Sequence, residues 1–441
     1  MVDVELSVGL ITLIIFGGIM LMLFTGMPVA FGLGAVAIIF GLVFLGPRML
    51  ALNFYVTFRY ATYYTLLALP MFTYMSNILG ESGVAEDLYA CFMRFIGFIR
   101  GGLAAATVGV CTVMAAMVGQ SSTGVLTMGL IAYPEITTKY NYDKKLVAGT
   151  IGAGGALGIL IPPSGAMIVY GAIAQESVVQ LFAAGIIPGL ILAGMFVAYI
   201  LIRCNLQPKL GPTSPLQYTW REKGTSLKGL IMPSILIFGI LGGIFQGVWT
   251  PTEASAIGAL GAFGCAAVNR RLTWKVAKEA TFKTAKLTAI LMWIVFGSAS
   301  ISRIYTASGA SHFIETMLVG GNLPTLAVIG IMQLILMFLG CFIDSIGITM
   351  ITIPLFAPIV EALGLSKVWF GVLFIVNMEM GYLTPPFGFN LFLLRGILKP
   401  KLSMVEIYQA VLPYILIQAL CLALILFFPQ LALFLPPLIT K

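Results

Sequence analysis

Apolar residues run along this chain in blocks near 7–25, 28–46, 61–80, 102–136, 145–176, 178–202, 229–248, 252–269, 287–306, 323–362, 366–398 and 405–435. A membrane-spanning helix needs about 20 such residues, so the pattern predicts an all-α polytopic membrane protein. Two blocks, 102–136 and 323–362, are too long for one span. Each is interrupted near its middle, at Gly119-Gln-Ser-Ser-Thr-Gly124 and at Asp344-Ser-Ile-Gly347. Each is therefore expected to be a re-entrant helical hairpin that enters and leaves on one side. The blocks 145–176 and 366–398 carry a different interruption, the pattern G-x-L-x-P-P-x-G. It occurs as Gly158, Leu160, Pro162, Pro163, Gly165 and again as Gly381, Leu383, Pro385, Pro386, Gly388. Proline removes a backbone donor and breaks the helical ladder. In a bilayer such a break survives only where it is buried in protein or lines a wet cavity.

The interruptions repeat together. Pro385 lies 223 positions after Pro162. At that same offset, without gaps, Ser122 falls on Ser345, Gly124 on Gly347 and Lys144 on Lys367. Ser121 falls opposite Asp344, and Gly154 opposite Asn377. A weaker echo pairs Ser82-Gly83 with Ser308-Gly309. Hairpin tip and broken helix thus form one repeated unit. Paired breaks at matching places in two halves point to the binding site of a secondary transporter.

Charge orients the units. The 441 residues are 60% hydrophobic and 9% charged, with a net charge of +8. That excess suits loop cations obeying the positive-inside rule better than a nucleic-acid surface. The most basic loops are 203–228 (Arg203, Lys209, Arg221, Lys223, Lys228) and 270–286 (Arg270, Arg271, Lys275, Lys278, Lys283, Lys286). Two spans separate them, so both lie on one side, taken as the cytoplasm. If both long blocks are hairpins, Arg94, Arg100, Lys139, Lys144, Lys145, Arg395, Lys399 and Lys401 share that side, and the N-terminus with Asp3 and Glu5 lies outside. The first hairpin then opens inward and the second outward, an inverted-topology repeat. The stretch 270–286 is expected as an interfacial amphipathic helix. Pro208, Gly211, Pro212 and Pro215 mark 203–228 as a linker between halves. The first apolar block lacks a basic leader and reads as a span, not a cleaved signal. The six cysteines are scattered without a C-x-x-C pair, so neither a disulfide framework nor a zinc site is expected.

The motifs resemble the large membrane (M) subunit of tripartite ATP-independent periplasmic (TRAP) transporters, within the wider ion-transporter superfamily. The matching residues are Gly158-Ile-Leu-Ile-Pro-Pro-Ser164 with Ile168-Val-Tyr-Gly171, Thr250-Pro-Thr-Glu-Ala254, Phe342-Ile-Asp344 with Pro354 and Pro358, and Asn377 through Thr384-Pro-Pro-Phe-Gly-Phe-Asn390-Leu-Phe392. The resemblance spans essentially the whole chain. It implies a sodium-driven elevator with a scaffold and a mobile transport unit. The expected layout is scaffold spans over 1–101, a first transport repeat over 102–176, scaffold, linker and amphipathic helix over 177–322, a second transport repeat over 323–398, and a C-terminal scaffold span over 399–441. It further implies a small four-span membrane (Q) subunit as a separate chain, a periplasmic substrate-binding (P) protein that delivers an organic anion, and a bacterial inner-membrane location. Both termini are expected to be periplasmic. Gln120-Ser-Ser-Thr123 and Glu379 depart from the family pattern.

Sodium needs several oxygens in a small cage, which hydroxyls, amide carbonyls and the backbone carbonyls of an interrupted helix supply. Ser121, Ser122 and Thr123 are expected to face the break at Gly154, Gly158 and Pro162. Asp344, Ser345 and Thr349 are expected to face the break at Asn377, Gly381 and Thr384. The substrate would lie between the tips, near Gln120, Ser164, Gly165, Glu379, Pro386, Gly388 and Asn390, held by donors at half-helix N-termini. Sodium beside it would offset the anion's charge and couple the two binding events. Simpler roles compete. Membrane hydroxyls often bond back to their own helix. Asp344 is an intramembrane acid that could instead cap its hairpin turn, and Glu379 could face an ion, pair with a base or be protonated. Glu253 after Pro251 suits a helix cap, and Arg303 suits snorkelling. His312 has no second ligand nearby and is expected at the surface. The aromatics of 54–64 suit an outer interfacial belt, or a docking surface for the periplasmic protein. With no phosphate loop, no H-E-x-x-H and one histidine, the sequence offers no enzyme. The alternatives are a self-sufficient sodium-coupled anion carrier of the same superfamily and, further off, an ion channel. The substrate's identity is not legible.

Overall fold

Proline, glycine and capping residues cut the apolar blocks into helices. The computed structural model describes residues 8–214, 218–309, 323–399 and 402–439. Asp3, Glu5, Pro215, His312 and Lys401, which carried expectations above, lie outside those residues. The first group of helices is α1 (Val8–Phe24), α2 (Val29–Leu45), α3 (Arg48–Ala61), α4 (Ala68–Glu81) and α5 (Val84–Ile96). Then follow α6 (Gly102–Val118), α7 (Ser121–Pro134), α8 (Lys144–Ala156), α9 (Gly165–Ala174) and α10 (Val178–Leu206). The middle is α11 (Trp220–Ser226), α12 (Lys228–Phe245), α13 (Pro251–Val268) and α14 (Trp274–Ala307). The last part is α15 (Thr325–Gly340), α16 (Ser345–Ala362), α17 (Lys367–Leu383), α18 (Phe389–Leu398), α19 (Met404–Phe427), α20 (Gln430–Leu433) and α21 (Pro436–Ile439). No strand occurs among the described residues. Five helical segments there are long and apolar enough to cross a membrane.

Both interrupted blocks fold as helix–turn–helix units. Gly119 ends α6 with φ +67, a conformation that favours glycine, and α7 restarts two residues later. The break after α8 follows a single 3-10 turn, Leu157–Ile159, into the Pro–Pro pair. The break after α17 falls at Thr384–Gly388. Helices α6, α8 and α9 begin at 102, 144 and 165, and α15, α17 and α18 begin at 325, 367 and 389.

The helices sort into two packed groups. Helices α1–α4 pack with α13 and α14, while α12 joins α13 and α5. Helices α6–α9 and α15–α18 form the other group. Helix α10 lies on α6, α17 and α19, and α19 lies on α8 and α17. The groups meet chiefly where α14 crosses α16 and where α5 lies on α6.

Two expectations change here, and one helix carried no expectation. The basic stretch 274–286 is not a separate interfacial helix but the first part of α14, a single 34-residue helix about 51 Å long. The reason is that no glycine or proline interrupts 274–296, and a change from charged to apolar residues does not by itself end a helix. The block 405–435 is not one uniform span. Its helix stops at Phe427, before Pro429, and two short helices turn back onto α10. Residues 48–61, between two expected spans, form the amphipathic helix α3.

Candidate functional site

The two hairpin tips meet at one cavity of about 870 Å³. Four helix N-termini open on it: Ser121 of α7, Gly165 of α9, Ser345 of α16 and Phe389 of α18. Each N-terminus leaves backbone donors without helical partners and carries part of the helix dipole's positive end. The opposite wall comes from α2, α4 and α14, with Phe31, Phe72, Trp293 and Ile294. Asp344, Tyr382 and Cys341 are the ionisable residues among the described lining residues, which include no lysine, arginine or histidine.

The first tip packs against the first break. A Cβ on Gly158 would lie 2.6 Å from the Gln120 carbonyl oxygen and 3.0 Å from the Ser121 nitrogen. Gly124 similarly faces the Gly155 backbone, while Gly154 faces Cys111. Two hydrogen bonds tie this tip to α4: Gln120 Nε2 donates to Thr73 Oγ1 at 2.6 Å, and Ser76 Oγ lies 2.6 Å from Thr123 Oγ1. Ser122 lines the cavity.

The second tip packs against the second break through Tyr382. Its hydroxyl donates to Asp344 Oδ1 at 3.0 Å and takes a hydrogen bond from Ser345 Oγ at 2.8 Å. Asp344 Oδ2 accepts from the Ile346 nitrogen at 3.0 Å, so this acid does cap α16. A Cβ on Gly381 would lie 2.9 Å from the Gly340 Cα, a backbone-to-backbone approach. Asn377 Nδ2 donates to the backbone and side-chain oxygens of Gln333 on α15, both at 2.8 Å. Its Oδ1 is buried without a partner.

Polar side chains join the two units. Asn390, just past the second Pro–Pro pair, accepts from Ser121 Oγ at 2.8 Å and donates to the Gly152 carbonyl at 3.3 Å. The units also meet at Lys367, which pairs with Glu176 at 3.2 Å and with Glu361 at 3.3 Å.

Of the residues expected at the site, Gln120, Ser121, Ser122, Gly165, Asp344 and Ser345 line the cavity. Thr123, Gly154, Gly158, Pro162, Ser164, Asn377, Gly381, Gly388 and Asn390 do not line it; they lie in the tips, the breaks and the helices beside them. Ser164 caps α9, and Gly388 sits over the carbonyl end of α17. Four expectations find other employment. Thr349 and Thr384 donate to their own helices, to the Ser345 and Met380 carbonyls. The Pro386 carbonyl accepts from Tyr408 on α19 at 3.0 Å. Glu379 is fully buried and does not line the cavity; it lies on α17 within electrostatic reach of Cys421 on α19. Glu253 forms the expected capping box with Thr250, and Arg303 is exposed.

Sequence reasoning missed Tyr382, Thr73, Ser76 and Gln333. Tyr382 stands beside Gly381 inside the second motif but is not part of the repeated pattern. Thr73 and Ser76 are polar positions three apart in an apolar block, a helical spacing that could have flagged them.

A family model described as tripartite ATP-independent periplasmic transporter, DctM component, matches residues 16–431. The chain is 31% identical to the C4-dicarboxylate TRAP transporter large permease protein DctM of Vibrio cholerae, covering 98% of each chain. It is 28% identical to the isethionate TRAP transporter permease protein DctMQ of Oleidesulfovibrio alaskensis, covering 96% of this chain and 66% of the relative. Among solved structures, the Alcanivorax borkumensis YdaH transporter superposes with a TM-score of 0.53 at 16% identity, covering 84% of this chain and 88% of that one. That similarity concerns the fold.

Proposed function

The chain belongs to the DctM component family of tripartite ATP-independent periplasmic transporters, and from that premise we propose that it is the sodium-coupled permease that moves an organic anion across the bacterial inner membrane. The observation that carries this reading is the convergence of two hairpin tips and four helix N-termini on one cavity. N-terminal donors suit a carboxylate or sulfonate without any basic side chain. The hydroxyls and terminal helix carbonyls behind the tips suit sodium.

Sodium is cargo in this mechanism. One ion binds at the first tip, among Ser121, Ser122 and the last carbonyls of α8. A second binds among Asp344, Ser345 and the carbonyl end of α17, with the free Asn377 Oδ1 as a further acceptor. Each ion screens the anion's charge, so each favours the binding of the other. The helix starts, which recur at offsets of 223 or 224 residues, support a repeat, inverted by the charge reading, with α6–α9 and α15–α18 as the moving body. Because α10 and α19 pack on that body, we assign them to it and not to the scaffold, a revision of the expected boundaries at 177 and 399. An elevator step would break the Gln120–Thr73 and Thr123–Ser76 hydrogen bonds, which tie the first tip to α4.

The partners in this reading are a small four-span membrane chain and a periplasmic binding protein. The fused name of the isethionate relative supports the first. The test is uptake in proteoliposomes holding the chain and its membrane partner. Uphill accumulation that needs both a sodium gradient and the binding protein is expected. Uptake without the binding protein would instead favour the self-sufficient carrier, and downhill flux alone would favour a channel.

A further inference from the structure

Two sets of segments line the cavity. All four N-termini lie on the side of the tips and breaks. Each carries part of a helix dipole's positive end, and the Asp344 carboxylate stands among them. The facing wall from α2, α4 and α14 presents Phe31, Phe72, Trp293 and aliphatic side chains, with Thr73 as its polar exception. Phe31 and Trp293 stand edge to face with ring centroids 6.1 Å apart. On the tip side, Phe387 stacks on Phe392 at 6.2 Å and tilts against Phe342 at 5.7 Å, so aromatic rings flank the N-termini as well.

We propose, resting on the carrier reading above, that this permease takes a monoanion with an apolar body, an aryl- or branched-alkyl carboxylate, in preference to a dicarboxylate. The single carboxylate sits at the N-termini beside Ser121 and Gly165, and the apolar body lies against Phe31, Trp293 and Phe387. A dicarboxylate of similar length would press its second charge against the apolar wall. Desolvating an unpaired carboxylate there is far costlier than burying a phenyl or isobutyl group, which is favourable.

The test is calorimetric titration of the chain with its membrane partner in nanodiscs, in sodium buffer, with phenylacetate, 4-methyl-2-oxopentanoate and succinate. The expected result is saturable binding of at least one monoanion at least tenfold tighter than succinate. Trp293→Ala and Phe387→Ala should each weaken that monoanion at least threefold while changing succinate less. Succinate binding as tightly as the monoanions would overturn the inference and leave the carrier reading standing. Monoanion binding indifferent to both aromatic variants would also overturn it. If none of the three anions binds saturably, while sodium removal leaves the thermal unfolding of the complex unchanged, the carrier reading falls with it.

Discussion

Replacing Gly158 by alanine tests whether the first tip must touch the first break for sodium to bind. The new Cβ would lie 2.6 Å from the Gln120 carbonyl oxygen and 2.7 Å from its carbon, where ordinary contact begins near 3.4 Å. Backbone cannot swing aside as a flexible side chain can, so the tip must retreat by about 0.8 Å. Overpacking of this kind costs about 1–3 kcal/mol, and the lower entropy of the unfolded alanine chain offsets about 0.4–1 kcal/mol of it. A net loss of about 1–2 kcal/mol is a factor of roughly 5–30 in an equilibrium. If the strain falls on the sodium-bound tip, the sodium concentration for half-maximal thermal stabilisation rises by that factor. The assay is unfolding of the purified protein across a sodium series, with choline holding ionic strength. Gly194→Ala is the control, since no atom lies within 4 Å of its new Cβ and the position is exposed on α10. It should leave the titration unchanged. A Gly158→Ala protein whose sodium titration matches the parent's would refute the reasoning.

Three further outcomes are expected. Asp344→Asn keeps a capping side chain on α16 but removes the charge, so the sodium titration should shift by about tenfold or more; an unchanged titration would remove Asp344 from the ion site. Asn390→Ala leaves Ser121 Oγ without its acceptor, at about 1–3 kcal/mol. It should lower both thermal stability and sodium response, whereas a stable protein with normal response would show the link between the units to be dispensable. Thr250→Ala removes the capping box of α13 at about 1 kcal/mol, and should lower the unfolding temperature without moving the sodium titration.

The apolar blocks, their internal breaks and the constant 223-residue offset were enough to determine a membrane bundle with two hairpins and two broken helices. Those features are local: a proline breaks whatever helix contains it, and a glycine with positive φ ends a helix wherever it stands. The tips could also be paired with their own breaks, because residues repeated together are held together. What each side chain at a tip does is decided by neighbours distant in the chain. Thr349 and Thr384 look as suitable as Ser121 in sequence, yet both are turned to their own helices, while Ser121 reaches Asn390, 269 residues away. Glu379 sits between two site positions in sequence, but two residues turn a helix by about 200°, which takes it away from the Asn377 side of α17. Tyr382 and the aromatic wall were hidden for the same reason: any apolar block supplies such residues, and only packing decides which of them face the cavity. The repeated breaks pointed, from sequence alone, to residues of which Gln120, Ser121, Ser122, Gly165, Asp344 and Ser345 line the cavity. The tertiary structure supplied the second wall, the apolar side chains of α2, α4 and α14, because those segments share no pattern with the tips and breaks.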